Sequence, residues 1–481
     1  MSPSPIAKLN AEYVLLMNLD PSIDPASLSP AARRVFEIAA EKAERLDARW
    51  NPADGAPVFT AGGKYSTRGW TEWTQGFQYG NLILCGDAIG SGELIDLGRR
   101  RTVERMLPHV THTGVHDHGF NNLSTYGNLL RLMGEGRIAD DPWQRKVYEN
   151  AIAASGAVQA ARWSETDCGF GYIYSFNGPH SLFIDTMRTL RILGVAHQLG
   201  HRLMGEGDRA IDLLSRLIQH GLTTTKYIIY HGDTPHTYDV RGRTAHEGTF
   251  NRNDGQFRSR ATQQGYSPYS TWTRGLAWAM LGFTEQLEFL QTLPEDEFEN
   301  AIYMAKEDVI APFQCAAIET CDHYIHDVAA ADGIPYWDDG APQLHHLGDW
   351  RSATADPNND FEPVDASAAA IAAQGLIRLG NYLSPPDSEK YSQAGFTIAQ
   401  TLLAEPYLSV EPDHEGVLLH SIYHWPNRWD HIPPGAKIAS GESSMWGDYH
   451  LLELAHLIRR IAEGTIYPTF YIPLTSDDPN S

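Results

Sequence analysis

Helical periodicity recurs along almost the whole chain, and no other feature of the sequence limits the possible folds as strongly. It begins after Ser29-Pro30, a pair typical of a helix start, with apolar residues at three- and four-residue steps. The same spacing predicts helices over 93–107, 124–133, 143–162, 181–204, 209–221, 274–291, 296–321, 366–383, 388–403 and 443–461. Strand-like alternation is scarce and predicts only short strands or hairpins at 226–230 and near Tyr238. The sequence therefore predicts an all-α chain.

No stretch rich in proline, serine or charge divides the 481 residues. One domain over 1–481, with an N-terminal extension of about 1–28, therefore fits better than several domains. Four segments between predicted helices are long and rich in glycine, aromatic, histidine and acidic residues: 165–180, 231–271, 331–364 and 405–442. Loops of that length in a compact domain are usually functional. If they lie on one rim of a closed helical toroid, they form the aromatic, polar kind of pocket that sugars favour.

The composition limits the partners of the protein. With 37 Lys and Arg against 60 Asp and Glu, the net charge is −23, which repels nucleic acid and anionic membranes. A small anionic ligand stays compatible, because salt screens a distant acidic surface within about 10 Å. The apolar stretch from Val14 to Met17 is too short for a signal peptide or a membrane span, and the four cysteines show no C-x-x-C spacing. We expect a cytoplasmic protein with reduced thiols, and its oligomeric state is left open.

The first candidate acid is Asp117, within the sequence HDHGF at 116–120. An aspartate directly before a helix usually caps it, and this structural role is the more common one for such a residue. His112, His116 and His118 are close in sequence, but no fourth ligand with a recognised zinc spacing accompanies them. We therefore expect no metal here.

The second candidate acid is Asp185, flanked by apolar residues in the sequence FIDTM at 183–187. A first-turn carboxylate that interacts with the helix dipole, worth about 0.3–1 kcal/mol, would explain it without any function. A general acid instead needs a carboxyl that keeps its proton near neutral pH. Apolar neighbours and a second, ionised aspartate would provide this by raising the pKa of Asp185. The residues alone leave both explanations open.

An amide- and aromatic-rich loop leads into a predicted helix through TQQGYS at 262–267 and STWTRGLAW at 270–278. Gln264 and Arg274 are its informative members. A buried arginine usually has a carboxylate or phosphate partner, because its guanidinium fork binds two oxygens at once. An internal bridge from Arg274 to an aspartate is at least as common an explanation as a substrate contact.

Taken together, these motifs resemble the unsaturated glucuronyl hydrolases of glycoside hydrolase family 88. The resemblance covers roughly residues 69–457 and rests on the order of seven short sequences: HDHGF, FIDTM, TQQGYS, STWTRGLAW, IPYWD, DASAAAIAA and ESSMWGDYH. Each is weak alone, whereas the ordered set is specific. The related unsaturated rhamnogalacturonyl hydrolases share the fold and part of the pattern.

The resemblance implies an (α/α)6 barrel that removes the terminal unsaturated uronic acid from oligosaccharides made by polysaccharide lyases. Asp185 matches the general acid and base of the family, and Asp117 matches the aspartate beside it. Asp185 would protonate C4 of the C4=C5 double bond and activate the water that adds at C5. No cofactor, metal or covalent sugar intermediate is implied. The substrate contacts that the resemblance implies are His116, His236, Gln264, Trp272 and Arg274.

The chain departs from the family pattern in its expected pocket walls. Gln78, in the sequence GFQYGNLIL at 76–84, stands within a segment where the family has additional tryptophans. Phe176 replaces the tryptophan of a Ser-Trp-Asn sequence, and Leu276 replaces a glutamine. We expect Gln78 and Phe176 to contact the substrate. Such changes alter the pocket walls without removing the acids.

Two other functions stay open on the sequence alone. An inverting glycosidase on saturated sugars would use Asp117 and Asp185 as its two carboxylates. A sugar-binding or epimerising toroid would use the same fold without hydrolysis. Loss of the ultraviolet absorbance of the conjugated double bond distinguishes both from the unsaturated uronyl activity.

Overall fold

Six long helices form the outer layer of the protein in the computed structural model, which describes residues 17–69 and 73–471. They are α1 (Pro25–Arg49), α3 (Gly92–Arg105), α7 (Pro142–Ala161), α10 (Leu213–Tyr227), α13 (Lys306–His323) and α15 (Asp387–Leu402). Two short helices, α4 (Leu107–Val110) and α12 (Glu295–Ile302), accompany them.

The inner layer consists of six helical elements that alternate with the outer helices along the chain. They are α2 (Gln75–Ile89); α5 (His118–Asn122), continued by a π-helical turn (Leu123–Gly127) and α6 (Asn128–Gly134); α8 (Thr186–Thr189) with α9 (Arg191–Gln198); α11 (Thr273–Thr292); α14 (Ala366–Tyr382); and α16 (Met445–Ala462). Each inner element contacts the next one, and α16 contacts α2. The ring is therefore closed, which confirms the predicted all-α, (α/α)6 barrel.

Helix α1 begins earlier than its sequence predicts. Asp24 is the N-cap, and its side chain accepts a 2.7 Å hydrogen bond from the Ser27 backbone N–H. Pro25 occupies the first turn, and Pro30 lies inside the helix. The predicted start at Ser29-Pro30 is therefore wrong, because the earlier aspartate and proline already provide both start signals.

Helix α2 has no counterpart among the predicted helices, because periodicity detects only helices with one apolar face. Nearly all of its residues are buried, including polar ones such as Gln78 and Asn81. A helix that is enclosed on every side shows no amphipathic pattern. Periodicity is clear in helices with one apolar face, such as the outer helix α10 and the inner helix α16, whereas α2 is harder to recognise.

The short strands lie between helices and form four small antiparallel sheets: β1 (Phe59–Ala61) with β2 (Lys64–Ser66); β3 (Trp163–Glu165) with β4 (Gly171–Ile173); β5 (Ser181–Phe183), β8 (Glu247–Phe250) and β9 (Phe257–Ala261); and β6 (Leu203–Met204) with β7 (Ala210–Ile211). The helix predicted over 181–204 is wrong at both ends, where β5 and β6 lie. The strand predicted at 226–230 is also wrong at its start, since α10 continues to Tyr227.

All four cysteines have free thiols, as predicted. Within the described ranges, 17–69 and 73–471, no helix combines the length and the apolar character needed to cross a membrane.

A close approach between α5 and α8 joins two neighbouring elements of the inner ring. An added Cβ on Gly119 would lie 2.3 Å from the backbone oxygen of Thr189 and 2.7 Å from its Cα. Asp117 directly precedes α5, and Asp185 directly precedes α8. The absent side chain of Gly119 therefore determines how closely the two aspartates approach each other.

We expect Gly119→Ala to destabilise the protein by about 1–3 kcal/mol, because the backbone of Thr189 would have to move away. Urea unfolding measures this change. Gly134→Ala is the matched control, since an added Cβ there meets nothing within 4 Å, and alanine in a helix is neutral or better than glycine. Equal stabilities of the two variants would show that the contact between α5 and α8 is not tight.

Candidate active site

A pocket of about 780 Å³ lies at the end of the barrel where the inner helices begin. Residues at helix starts supply one part of its lining: Trp73, His116, Asp117, Phe120, Asp185, Trp272, Arg274 and Trp278. The long segments supply the rest: Phe176, Gln263, Gln264, Tyr423, His424, Asn427 and Trp429. Three of the four long segments thus contribute residues to one pocket.

The fourth long segment, 331–364, supports the pocket from behind. The carboxylate of Asp338 accepts a 2.7 Å hydrogen bond from the Tyr266 backbone N–H, and Asp338 also pairs with Trp272 through an isolated β-bridge. The IPYWD sequence therefore holds the TQQGYS loop in place without lining the pocket.

Asp117 occupies the N-cap position of α5, but its side chain does not cap the helix. The residue is only 6% exposed. Burial raises the pKa of Asp117 to about 6; the nearby charge of His116 opposes this rise, and that of Asp185 adds to it. Its carboxyl is therefore not used for capping, and it is partly protonated near neutral pH.

Asp185 occupies the N-cap position of α8, and it too makes no capping hydrogen bond. Its Oδ1 lies 3.0 Å from Nε2 of His116. Burial acts to raise the pKa of Asp185, but the charge and the hydrogen bond of His116 outweigh it, so the pKa lies below its usual value. Asp185 is therefore ionised when no ligand is bound.

The order of the two pKa values is the reverse of the one predicted from the sequence. We expected an ionised Asp117 to keep Asp185 protonated. Instead, both aspartates are buried, and the contact of His116 with Asp185 distinguishes them. The sequence does not reveal which aspartate the imidazole contacts, because His116 is adjacent in sequence to the other one.

Arg274 is buried and forms an internal ion pair with Asp365, the N-cap of α14, at 2.7 Å. The same guanidinium donates to Oε1 of Gln264 at 2.8 Å and to the backbone oxygen of Tyr423 at 2.7 Å. Arg274 therefore forms the internal bridge to an aspartate, and it also lines the pocket. Oε1 of Gln264 accepts from Arg274, so the side chain of Gln264 presents its amide nitrogen to the pocket as a hydrogen-bond donor.

Aromatic rings form much of the pocket wall. Phe176 lies nearly parallel to the ring of His116, with centroids 6.1 Å apart, and Trp73 stacks on Trp446 at 5.0 Å. Trp73 and Trp429 were not predicted, although Trp429 lies in a segment that was recognised as aromatic-rich. The pocket therefore contains tryptophan side chains even though the stretch after Gly76 has none.

Arg162 is a further residue that sequence reasoning missed. It donates hydrogen bonds to the backbone oxygens of Thr113, Tyr174 and Ser175. These contacts join the segment that carries His116 to the loop that carries Phe176. Only the fold brings the two segments together, so no local pattern could have indicated this role.

Two predicted substrate contacts lie outside the pocket lining. Gln78 is buried in α2, where its side chain accepts from Gln75 and borders a small internal cavity with Lys42 and Asp448. His236 is exposed and stacks on Tyr238, with ring centroids 5.0 Å apart. The structure therefore places neither residue beside the two aspartates.

The three clustered histidines have separate contacts. His116 contacts Asp185, whereas His118 contacts Ser155 and the backbone oxygen of His112. In the part of the chain that the structure describes, no group of three or more His, Cys, Asp or Glu side chains has the geometry to hold a metal ion.

Comparison with known proteins adds independent information. No protein-family model matches the chain. An unsaturated glucuronyl hydrolase of Formosa agariphila is 25% identical over 386 residues, which cover 79% of this chain and 78% of that protein. The unsaturated glucuronyl hydrolase of Bacillus sp. strain GL1 is 26% identical over 418 residues, which cover 84% and 90%.

The fold comparison agrees. The crystal structure of the unsaturated glucuronyl hydrolase of Bacillus sp. GL1, described as responsible for the degradation of glycosaminoglycan, matches with a TM-score of 0.65. The match has 22% sequence identity and covers 89% of this chain and 96% of that one. A closed helical barrel with two buried aspartates in an aromatic pocket defines the class as an (α/α)6-barrel enzyme. Within that class, the chain is a homologue of the unsaturated glucuronyl hydrolases, which confirms the resemblance seen in the motifs.

We expect Arg274→Lys to destabilise the protein by roughly 2–3 kcal/mol, because an ammonium group cannot replace a planar fork that serves Asp365, Gln264 and Tyr423 at once. Arg101→Lys is the matched control, since Arg101 also binds an aspartate, Asp47, but is 32% exposed; we expect a change below about 1 kcal/mol there. Urea unfolding of both variants tests this. A stability of Arg274→Lys equal to that of Arg101→Lys would contradict it.

We also expect the two aspartates to affect stability with opposite dependence on pH. The folded-state pKa of Asp117 is raised from 3.8 to about 6, so stability is lost as the pH rises through that range. Relative to wild type, Asp117→Asn should therefore gain roughly 2 kcal/mol between pH 4 and pH 7. Asp185, whose folded-state pKa is lowered from 3.8, contributes stability that is lost as the pH falls below that value. Asp185→Asn should therefore lose stability relative to wild type as the pH rises from about 2.5 to about 4.5. Unfolding free energies across these two pH ranges measure the changes, and the same sign for both variants would refute the assignment.

Proposed function

We propose that this protein removes the terminal 4,5-unsaturated uronic acid from lyase-generated oligosaccharides by hydrating the C4=C5 double bond. The observation that carries this proposal is the placement of Asp117 and Asp185 in one aromatic pocket, with their pKa values shifted in opposite directions. Environments that separate two carboxyl pKa values are typical of acid–base catalysis. We further propose a member of glycoside hydrolase family 88, with one catalytic domain, that acts in the cytoplasm.

The relatives support this class of substrate. Two of them bear the name unsaturated glucuronyl hydrolase, and the matching Bacillus structure is described as acting in glycosaminoglycan degradation. The substrate we propose is therefore a short oligosaccharide that ends in an unsaturated uronate.

The pocket fits such a ligand in chemical character. Phe176, Trp73 and Trp429 offer apolar surfaces for a sugar face. The amide nitrogen of Gln264, which Arg274 leaves as a donor, suits a sugar hydroxyl or the uronate carboxylate.

The negative charge of the substrate requires local compensation. The positive charge of Arg274 is neutralised by its ion pair with Asp365. The negative charge of Asp185 is neutralised by His116 when the imidazole is protonated. Asp117 adds no charge when it is protonated. The pocket therefore accepts a uronate most readily below the pKa of Asp117.

In the proposed reaction, Asp185 passes a proton to C4, and the ring oxygen stabilises the positive charge that develops at C5. Water then adds at C5 and gives its proton to the Asp185 carboxylate. The resulting hemiketal opens and releases the neighbouring sugar. The net change is the consumption of one water molecule, the loss of the double bond and the cleavage of the bond to the neighbouring sugar, and the enzyme returns to its starting state.

Asp185→Asn should fold and still bind disaccharide but lose at least the 10²- to 10⁴-fold that general acid–base catalysis contributes. Decay of the ultraviolet absorbance of a panel of lyase-generated disaccharides measures this loss directly, because hydration removes the conjugated double bond. Gln78→Asn serves as a control, since Gln78 lies outside the pocket lining. Activity of Asp185→Asn within a few-fold of wild type would refute the mechanism.

The same assay separates the proposal from its alternatives. An inverting glycosidase would release sugar from saturated substrates without ultraviolet loss, and an epimerase would leave the mass of the product unchanged. Either result with the wild-type protein would overturn the proposed activity.

A further inference from the structure

We propose that His116 is the residue that holds the catalytic proton between turnovers and supplies it to Asp185, rather than a substrate contact. The inference rests on the proposed function and assigns His116 as a positioning residue that acts through Asp185. Three observations carry it: the fixed contact between the two side chains, the second ring nitrogen of His116, and the charges that surround the ring.

The contact between His116 and Asp185 is held rigidly. Nε2 of the imidazole lies 3.0 Å from Oδ1 of Asp185, and His116 is only 1% exposed. Its backbone oxygen accepts a 2.9 Å hydrogen bond from Oγ1 of Thr189, at the end of the helix that Asp185 begins. The ring also lies edge-on to Phe183 at 5.7 Å and parallel to Phe176 at 6.1 Å. The imidazole therefore cannot turn away from Asp185 without disturbing both phenyl rings.

The second nitrogen of the ring identifies where an additional proton resides. Because ionised Asp185 is an acceptor, Nε2 of His116 carries a hydrogen as long as Asp185 is ionised. Nδ1 is buried and has no hydrogen-bond partner among the described residues. Nδ1 of His116 is therefore where the additional proton of the imidazolium resides, and Nδ1 keeps that proton while Nε2 exchanges its own with Asp185.

The surrounding charges favour the protonated ring. The acidic groups that face it are Asp117 and Asp185, and the basic group is Arg162. His220 and His246 also interact with it, but burial lowers the pKa of each to about 3, so they stay neutral. Burial acts to lower the pKa of His116, but the two aspartates outweigh it, and the pKa lies above the usual value of 6.5. These charges therefore favour the state in which the imidazole carries the additional proton beside the Asp185 carboxylate.

The proton transfers balance over one turnover. Nε2 of His116 gives its hydrogen to Oδ1 of Asp185, and Asp185 gives a proton to C4, which forms the C4–H bond as the π bond breaks. Nδ1 keeps its proton, so His116 is then a neutral imidazole. Water that adds at C5 loses a proton to Asp185, which returns it to Nε2 of His116. One water molecule is consumed, and no oxidant or reductant is needed.

The protonation of His116 can be measured without any substrate. We expect the ¹⁵N resonances of His116, assigned by their absence in His116→Gln, to titrate above pH 6.5 in the wild-type protein. Asp185→Asn should lower that midpoint, because it removes a negative charge at 3.0 Å. A ring that stays neutral from pH 5 to pH 8 would overturn the inference, as would a midpoint that Asp185→Asn leaves unchanged.

Kinetics supply the second test. With lyase-generated disaccharides, His116→Gln should lower kcat by about 10²-fold or more, with a smaller change in KM. The alkaline limb of its pH–kcat profile should move to lower pH, because the proton is then held by Asp185 alone. A purely structural role would lower kcat equally at all pH values, and a profile of unchanged shape would refute the inference.

His220→Gln is the matched control. His220 is another buried histidine near His116, but its Nδ1 accepts from the backbone N–H of Ile173, and the described residues show no hydrogen bond between His220 and Asp185. We expect the wild-type pH profile from this variant. If wild-type protein causes no ultraviolet loss, the proposed function fails, whereas the ¹⁵N titration still decides whether His116 holds a proton.

Discussion

The closed ring of six parallel inner elements is the constraint on which the rest of the structure depends. Neighbouring contacts at their starts show that these elements begin at the same end of the barrel: Trp446 stacks on Trp73, and Arg274 pairs with Asp365. Parallel helices direct their unpaired N–H groups, and the positive ends of their dipoles, toward that end. The pocket therefore lies at the end of the barrel where the helix dipoles lower the free energy of negative charge, both that of the buried carboxylates and that of an anionic sugar.

Buried ion pairs cross the centre of the inner ring. Arg188 pairs with Glu285 and Glu453, Arg191 pairs with Glu285, and Arg378 pairs with Glu288. These buried pairs join α8, α9, α11, α14 and α16 across the centre. Removing ions from water is costly, and buried pairs seldom add net stability over apolar packing. Their directional contacts instead suit a role in fixing the register of the inner helices.

The sequence predicts the parts of this structure that depend on local pattern. Helix α7, with one apolar face, was predicted to within one residue at each end, whereas α2 was not predicted, because it is buried on all sides. Phe176, Gln264, Trp272 and Arg274 were assigned to the pocket and line it. Gln78 and His236 were assigned on the same grounds and lie elsewhere, since a motif specifies neighbours in sequence but not the direction of a side chain.

The division of roles between the two aspartates shows why the chemistry could not be predicted from the motifs alone. Asp117 and Asp185 are alike in position, since each is a buried N-cap residue that does not cap. A single imidazole distinguishes them. His116 is adjacent to Asp117 in the chain, yet the close packing of Gly119 against Thr189 brings Asp185 to its Nε2. The fold therefore converts two equivalent carboxyls into an ionised one and one that retains its proton to about pH 6, and it does so through a backbone contact that only glycine permits.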